Sequence, residues 1–529
     1  MSPSRRLRRL DLAALLLWLG AAIVTGVEAD LLPMVREQEL RVALTARAMA
    51  SGGSWLTPTY RGRLRFQKPP LLYWVTAAAG RVFSAPRSAF VARLGGLASA
   101  WALLAAVYLG GRRLVGRRAA WSAMAVTAAS YLFLRFAPRS ETDMAQSLWS
   151  ALAVLGVWSA LVGRCHPAWA WSSAGVAAGL GALSKSPAPA VLAALVAAGG
   201  AFLVRSPRRD AFRWAGVGAA ACLAVAAPWY AYAFSADAVE AAATSAVASE
   251  WRALFDRPTH LRPWFYYLYA LPGALAPWSP ALVPAVADLG RRLRRHRRAA
   301  FLAVWLGAGF LMLTATANKQ IHYCTLLLAP SALCVGAWAD RALRRTSRWP
   351  GNLDAIPGFV LLAGGLALAC ATWLRRPEFS PAAAWWGLAA AVCGLLGRSR
   401  FAAGWFPRWP TVAGLGVVAL AAAGPLAPQV AGEDLLIPRF AEAAERAGVI
   451  SAPHVRVVGD RAASLEFYFG RPVTTAPTAA QAFAESRPGD VVILSALRDD
   501  LPSPAGLEPV IRVASGRRRI EAYVDAPRR

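Results

Sequence analysis

The sequence has few lysines, few acidic residues and few cysteines, and each shortage excludes a class of protein. Its 529 residues include 58 lysines and arginines but 29 aspartates and glutamates, which gives a formal net charge of +29. Three of the 58 cations are lysines: Lys68, Lys185 and Lys319. The six cysteines form no CxxC pair, so neither a disulfide framework nor a thiolate metal site is indicated. The P-loop and the strand–GxGxxG–helix motif of nucleotide-binding enzymes are also missing.

Charged residues of both signs are scarce as well. They make up 16% of the chain, whereas a soluble protein of this length would have about 25%. The sequence is 57% hydrophobic with a mean hydropathy of +0.39, and its apolar runs repeat at about the 20-residue length that crosses a bilayer. The arginines cluster between these runs, so they indicate membrane orientation rather than binding to nucleic acid. The composition therefore predicts a polytopic α-helical membrane protein.

We predict about 13 transmembrane helices from the apolar runs. Their approximate ranges are 12–27, 89–111, 118–135, 144–163, 167–183, 187–204, 213–234, 263–285, 299–316, 322–338, 355–374, 381–397 and 410–427. The segment 28–87 is expected to be a long outer loop, in which the stretch 71–82 forms a helix along the membrane surface. Counting that stretch as a span would place the later arginine clusters outside, against the positive-inside rule.

The arginine clusters also predict which side each end of the chain occupies. Arginines precede the first apolar run, so this run is expected to be an uncleaved helix with a cytoplasmic N-terminus. An odd number of spans then places residues 431–529 outside the cytoplasm. This tail alternates strand-like runs with helical ones and predicts a small α/β domain after the transmembrane part, residues 1–430. Its expected strands are 455–458, 491–494 and 520–524, and its expected helices are 435–447 and 479–485.

The predicted topology places all three lysines at the outer membrane face. A compact ammonium group near the outer headgroups is suited to binding a phosphate, so we expect Lys68, Lys185 and Lys319 to share an anion-binding role. The alternatives are chance in an arginine-rich chain and ordinary snorkelling of a lysine to the headgroups.

Other polar residues are expected on the same face. Glu39 could take a proton while Arg41 holds phosphate oxygens, although a solvated helix start would show the same pattern. Asp143 directly precedes a predicted span at its outer end, where it could instead be a helix N-cap. Further candidates lie at neighbouring outer ends: His260, Arg262, His322 and Tyr323. The acids and histidines of this face could hold a divalent metal, but no tight ligand spacing requires one.

The motifs around these residues resemble the lipid-carrier-dependent membrane glycosyltransferases of the GT-C fold, the aminoarabinose transferase and protein O-mannosyltransferase relatives. The main stretch, Glu39 to Tyr73, contains an acidic residue followed by Arg41, then ARAM, GSW and KPPLLYW. Supporting matches are ETDM at 141–144, LSK at 183–185 and His322-Tyr323 with Pro330. The resemblance covers roughly residues 10–345, and five motifs occur in the family's order.

The resemblance implies an inverting sugar transfer from a polyprenyl-phosphate carrier to a lipid, glycan or protein acceptor. It also implies a bacterial inner-membrane location and a phosphate held by residues matching Arg41, Lys68 and either Lys185 or Arg262. Gln38 stands where the family has an aspartate, and a glutamine cannot deprotonate an alcohol. We therefore expect Glu39 to be the base, with Asp143 second; loss of activity is the third explanation. Gln67 replaces a common acid and weakens the metal site that the resemblance implies.

Two other functions fit the same sequence. A transporter or flippase of lipid-linked sugars would be expected to place charges near the bilayer midplane and often to contain repeated halves. A non-catalytic membrane protein of envelope assembly is compatible with the loss of the aspartate at position 38. The one-sided position of the notable charges favours chemistry at that face.

Overall fold

The computed structural model describes residues 3–163, 165–204, 209–235, 244–246, 249, 252, 260–276, 278–344, 435–497, 507–515 and 518–524. The predicted spans 355–374, 381–397 and 410–427 lie outside these ranges. Two of the cysteines, Cys370 and Cys393, lie outside them as well.

Residues 3–344 are mostly helical where they are described. Two helices precede a short antiparallel hairpin of β1 (Thr59–Tyr60) and β2 (Arg63–Leu64): α1 (Pro3–Leu31) and α2 (Glu37–Ala50). The next helices are α3 (Leu71–Phe83), α4 (Ala89–Leu114), α5 (Arg117–Ala128), α6 (Tyr131–Phe136), α7 (Thr142–Val162), α8 (Pro167–Ser184), α9 (Ala188–Leu203) and α10 (Ala215–Ala233). After them come α11 (Tyr266–Ala274), α12 (Ser279–Arg292), α13 (Arg297–Ala315) and α14 (Thr325–Arg344).

Six helical segments in the described residues are long and apolar enough to cross a membrane. They are Leu10–Leu31, Ala89–Leu114, Thr142–Val162, Asp210–Ala233, Arg297–Ala315 and Ile321–Ala342. The helix α3 has 13 residues, or about 20 Å at 1.5 Å per residue, which is too short to span. It packs against α2 and α4, and the predicted helix at 71–82 is confirmed.

Two predicted spans are broken. The span expected at 118–135 is two short helices, because Ser130 ends the first and caps the second. Its hydroxyl donates to Thr127 O and accepts from Phe133 N, which competes with a continuous helix. The span expected at 263–285 is the pair α11 and α12, which meet at an angle of 117°. Pro272 and Pro280 flank this bend, and proline disfavours a straight helix.

The termini of several long helices gather at two ends of the bundle. The site end contains the C-terminus of α1 and the N-termini of α4 and α7, which Arg93 and Ser140 connect through hydrogen bonds. The opposite end contains the start of α1 and the link between α4 and α5, where Arg117 pairs with Asp11 at 3.0 Å.

Small residues allow the helices to approach closely. The helix α8 packs against α7 and α10, and alanines fill much of the buried core around it. At Gly175 a Cβ would lie 2.0 Å from the carbonyl oxygen of Gly218, so this crossing requires glycine. Small residues at such crossings are typical of helices that associate in a membrane.

The described tail residues form a five-stranded sheet in the order β4-β3-β5-β7-β6. Its strands are β3 (Val455–Val458), β4 (Thr474–Ala476), β5 (Val491–Leu497), β6 (Ile511–Ser515) and β7 (Arg518–Val524). β3 is parallel to β4 and β5, whereas β7 is antiparallel to β5 and β6. The accompanying helices are α15 (Leu436–Arg446), α16 (Ala462–Phe469) and α17 (Ala479–Ala484).

The helix α16 fixes the tail to the site end of the bundle. It packs against α2, and Tyr468 accepts a hydrogen bond from Met34 N at 2.8 Å. Arg61 in the hairpin turn pairs with Glu466 at 3.0 Å, and Arg47 donates to the Glu466 and Phe467 carbonyls. The tail therefore contacts the loop that carries the candidate residues.

Candidate active site

Glu39 is fully buried at the site end, in a cluster with two arginines. Its carboxylate accepts hydrogen bonds from Arg93 at 2.8 Å, Arg139 at 3.1 Å and Ser140 N at 3.1 Å. Arg93 is also fully buried, and its remaining N–H groups donate to carbonyls at the end of α1. Burial acts to raise the pKa of Glu39, but the two arginines and the Ser140 N–H outweigh it and lower that pKa.

This geometry counts against the prediction that Glu39 is the base. A general base needs a free acceptor position for the proton that it removes, and the Glu39 carboxylate already accepts hydrogen bonds from two guanidinium groups and a backbone N–H. The cluster joins α1, α2, α4 and the loop before α7, which is what a structural ion pair does. Glu39 as the base stays a prediction without support from the structure.

Buried Asp143 and half-buried Lys185 form a second pair. Lys185, which caps the C-terminus of α8, donates to Asp143 in the first turn of α7 at 2.7 Å. The Lys185 ammonium also lies 5.3 Å from the Tyr323 ring centroid. Lys68 and His322 are close enough to Asp143 to interact electrostatically with its carboxylate. The structure thus brings together five predicted residues from four separate segments.

Glu141, two residues before Asp143, is the unpredicted acid at this site. It is 9% exposed, and its Oε1 accepts no hydrogen bond from the described residues. Arg36 lies 3.5 Å from that oxygen. Burial raises the pKa of Glu141; Arg36 opposes this rise, while the negative charges of Asp143 and Glu39 add to it.

Arg41 lies with a different acid from the one predicted. Its Nε donates to Glu37 at 2.9 Å, and the Tyr60 hydroxyl donates to the same carboxylate at 3.0 Å. Gln38, in the same turn, is exposed. Buried Arg65 donates to the Tyr73 hydroxyl at 3.1 Å and adds another cation beside this group.

The remaining candidates form a connection between two loops. Lys319 N donates to His260 O at 3.1 Å, and Leu261 forms a bridge with Asn318. The Lys319 ammonium donates to the Thr316 carbonyl, while Arg262 is exposed. Lys319 therefore has a local backbone partner, and Arg262 is the more available cation of the two.

The residues present do not match a metal site. Among the described residues no group of three or more His, Cys, Asp or Glu side chains could hold an ion. Gln67, where the resemblance implies an acid, is exposed and offers an amide oxygen in place of a carboxylate. We derive no reaction step through a metal.

Sequence analysis missed four contributors to the site, and two of them carried a signal. Arg93 is a charged residue within a predicted apolar span, where a charge is costly unless it is paired. Glu141 lies in the ETDM motif, of which only the aspartate was assigned a role. Arg36 and Arg139 carried no comparable signal, because arginines are abundant in this chain.

The family model described as dolichyl-phosphate-mannose-protein mannosyltransferase matches residues 67–232. Among curated proteins, the chain is similar to the undecaprenyl phosphate-alpha-4-amino-4-deoxy-L-arabinose arabinosyl transferase of Pseudomonas aeruginosa strain LESB58, with 29% identity over 360 residues. A similarly named transferase 1 of Pseudomonas fluorescens strain Pf0-1 is 26% identical over 355 residues, which cover 62% of this chain and 59% of that protein. The Pseudomonas aeruginosa match covers 64% of this chain and 62% of its relative's length, so the chain spans less than two thirds of that protein.

Solved structures show the same architecture. The crystal structure of ArnT from Cupriavidus metallidurans bound to undecaprenyl phosphate covers 100% of both chains, with a TM-score of 0.77 and 18% identity. The oligosaccharyltransferase AglB from Archaeoglobus fulgidus covers 91% of this chain and 69% of its own, with a TM-score of 0.52 and 16% identity. These matches confirm the resemblance predicted from the motifs: the chain is a membrane protein with the GT-C fold of lipid-carrier-dependent glycosyltransferases.

Proposed function

We propose that the chain is an inverting glycosyltransferase that moves a sugar from a polyprenyl-phosphate carrier to a lipid, glycan or protein acceptor. The observation that carries the proposal is the Asp143–Lys185 pair, with Lys68 close to it, at the end of a bundle of apolar helices. A polyprenyl carrier keeps its tail in the bilayer and its phosphate at the interface, where these cations lie.

The cations would act on the leaving group. Cleavage of the sugar–phosphate bond leaves negative charge on the phosphate oxygens, and fixed positive charges stabilise that charge as it develops. Lys68, Lys185 and Arg41 are the residues we assign to it, with Arg262 as a further exposed cation. Tyr323 and His322 would border the sugar, because they lie against Lys185 and Asp143.

The names of the relatives support this class of donor. The curated relatives are named as transferases that use an undecaprenyl-phosphate sugar, and the ArnT structure contains undecaprenyl phosphate. Because position 38 differs from the family pattern, the proposal takes the donor class from these names and not the sugar or the acceptor.

We also propose the arrangement of the whole chain in the bacterial inner membrane. It would have about 13 transmembrane helices in residues 1–430, a cytoplasmic N-terminus and an outer α/β domain in residues 431–529. The arginine clusters between the apolar runs support this orientation. The site end, with the tail sheet against it, would then face the periplasm.

The positions of buried charges do not favour a transporter. Within residues 3–344, the buried charged side chains of the described part all lie near the site end: Glu28, Glu39, Arg65, Arg93, Glu141, Asp143 and Lys319. A transporter of lipid-linked sugars would be expected to use polar groups near the bilayer midplane.

Mass spectrometry of envelope glycolipids and glycoproteins from a strain lacking this protein tests the function in the cell. We expect one class of molecule to lose the mass of a sugar and the wild-type chain to restore it. Lys68→Ala should fail to restore it, whereas Arg118→Ala, an exposed arginine at the opposite end, should restore it. An envelope that is unchanged by the deletion would contradict the proposal.

A further inference from the structure

We infer that Glu141 is the general base that removes the proton from the acceptor hydroxyl. The inference rests on the proposed transfer reaction and assigns a role that Gln38 cannot fill. It uses the position of Glu141 between the buried Glu39 cluster and the Asp143–Lys185 pair.

The neighbouring loop fixes the Glu141 backbone from both sides. Arg139 and Ser140 N bind the buried Glu39 carboxylate, and α7 begins at Thr142. At Gly96 a Cβ would lie 2.2 Å from the Arg139 carbonyl oxygen, so the loop rests directly on α4. A residue held in this way is preorganised, which a proton-transfer group requires.

The carboxylate itself has unused acceptor capacity. Oε1 of Glu141 is buried, accepts no hydrogen bond among the described residues and lies 3.5 Å from Arg36. A buried carboxylate oxygen without a donor is costly unless a ligand supplies one. An acceptor hydroxyl would supply that donor before it gives up its proton.

The other carboxylates at the site are less suited to the role. Glu39 is enclosed by two arginines, and the Asp143 carboxylate accepts a hydrogen bond from the Lys185 ammonium at 2.7 Å. Glu37 receives hydrogen bonds from Arg41 and Tyr60, and its side chain is 50% exposed, so it keeps water contact. Glu141 alone among these four combines burial with an oxygen that accepts no hydrogen bond within the described residues.

In the proposed step, Glu141 takes up a proton and polyprenyl phosphate leaves. The acceptor O–H bond breaks and its proton moves to Glu141, while the acceptor oxygen forms a bond to the anomeric carbon. The bond between that carbon and the phosphate oxygen breaks, and its electron pair leaves with the polyprenyl phosphate. Lys68 and Lys185 stabilise the phosphate, and Glu141 later releases its proton to solvent.

The pH dependence follows from the charges that face Glu141. Burial and the neighbouring carboxylates of Asp143 and Glu39 raise its pKa, whereas Arg36 and Arg139 lower it. The base must be deprotonated, so kcat should rise with pH through this raised pKa. Removing Arg36 would raise the pKa further and move the acidic limb to higher pH.

The test is the pH profile of sugar transfer by the full chain in lipid nanodiscs, with undecaprenyl-phosphate-linked sugars as donors. Glu141→Gln should lower kcat by about 10²- to 10⁴-fold, as loss of a general base does, and should leave undecaprenyl phosphate binding unchanged. Glu141→Asp should recover part of the rate. Glu442→Gln, which alters an exposed i,i+4 pair in α15, is the matched control and should transfer at the wild-type rate.

Arg36→Ala provides a second measurement that does not remove the carboxylate. A shift of its acidic limb to higher pH supports the inference even if Glu141→Gln fails to fold. An unmoved limb, or wild-type kcat in a folded Glu141→Gln variant, would overturn the inference while leaving the transfer reaction intact. A wild-type chain that binds undecaprenyl phosphate but transfers no sugar would overturn the proposed function itself.

Discussion

At the scale of single residues, the site end contains one charged pair that holds the fold together and another that we assign to the reaction. The Arg93–Glu39 pair is fully buried, and both oxygens of the Glu39 carboxylate accept hydrogen bonds. Lys185–Asp143 is also paired, but aromatic and cationic groups from other segments surround it. Similar residue types thus hold the loop in one place and are available to a ligand in another.

The Glu39 cluster predicts a large effect on stability. Glu39→Gln leaves the buried Arg93 guanidinium without its countercharge, and breaking a buried pair in this way costs about 3–5 kcal/mol. The variant should unfold at a clearly lower temperature in nanodiscs. Glu37→Gln, which alters an exposed i,i+4 pair, should cost less than about 1 kcal/mol.

The same pair predicts a pH dependence with a definite sign. The pKa of Glu39 is lower in the folded protein, so its contribution is present above the unfolded pKa of about 4.3 and is lost as pH falls through the folded pKa. The difference in unfolding temperature between wild type and Glu39→Gln should therefore shrink below that pH. A Glu39→Gln variant as stable as wild type at neutral pH would contradict the structural role.

Residue types alone did not reveal these partners. The acid–Arg motif drew attention to Glu39, and its fit to a base was chemically reasonable. Its burial depends on Arg93, 54 positions away, and on Arg139, 100 positions away. Such pairings arise from tertiary packing, which a single sequence does not specify.

At the scale of helices and strands, apolar runs located elements better than they located breaks. The helices α3 and α7 and the strand β3 lie within about two residues of their predicted positions. The break at Ser130 and the bend between α11 and α12 were not predicted. Both depend on local capping and on proline, whose effects the overall hydropathy of a run does not show.

The contact between α4 and the loop before α7 predicts a sharp effect of one methyl group. Gly96→Ala would place a Cβ 2.2 Å from the Arg139 carbonyl oxygen and displace the loop that holds Glu39 and Glu141. We expect lower thermal stability and a loss of transfer activity of at least tenfold. Both quantities can be measured on the same purified protein.

Gly307→Ala in α13 is the matched control, since its Cβ would meet nothing within 4 Å. It should keep full activity and gain up to about 1 kcal/mol from alanine's better helix propensity. Equal behaviour of the two variants would show that the loop does not depend on this contact.

At the scale of the whole molecule, the membrane bundle and the tail act on one segment. The helix α2 packs on α3 and α4, while α16 of the tail holds α2 and its flanking residues through Tyr468, Glu466 and the carbonyl of Phe467. Arg61 adopts a left-handed backbone (φ 51°) in the hairpin turn, and its pairing with Glu466 offsets that strain. The candidate residues are therefore fixed from two directions.

The overall architecture was the most predictable feature, because a dozen apolar runs constrain the chain more strongly than any motif. The lysine distribution was informative once the runs were threaded, since it gathered Lys68 and Lys185 at one end. The sequence did not indicate that the Lys319 ammonium donates a hydrogen bond to the backbone carbonyl of Thr316. Position along the chain predicts the membrane face of a residue, but not where its side chain points.

The most direct test of the account is transfer of a radiolabelled sugar by the purified full chain in lipid nanodiscs. Undecaprenyl-phosphate-linked sugars serve as donors, and an envelope extract from the deletion strain supplies the acceptor. Wild type and Arg118→Ala should transfer the sugar in a way that depends on the acceptor. Lys68→Ala should transfer it at least a hundredfold more slowly. Equal transfer by wild type and Lys68→Ala, or no transfer from any polyprenyl-phosphate donor, would contradict the account.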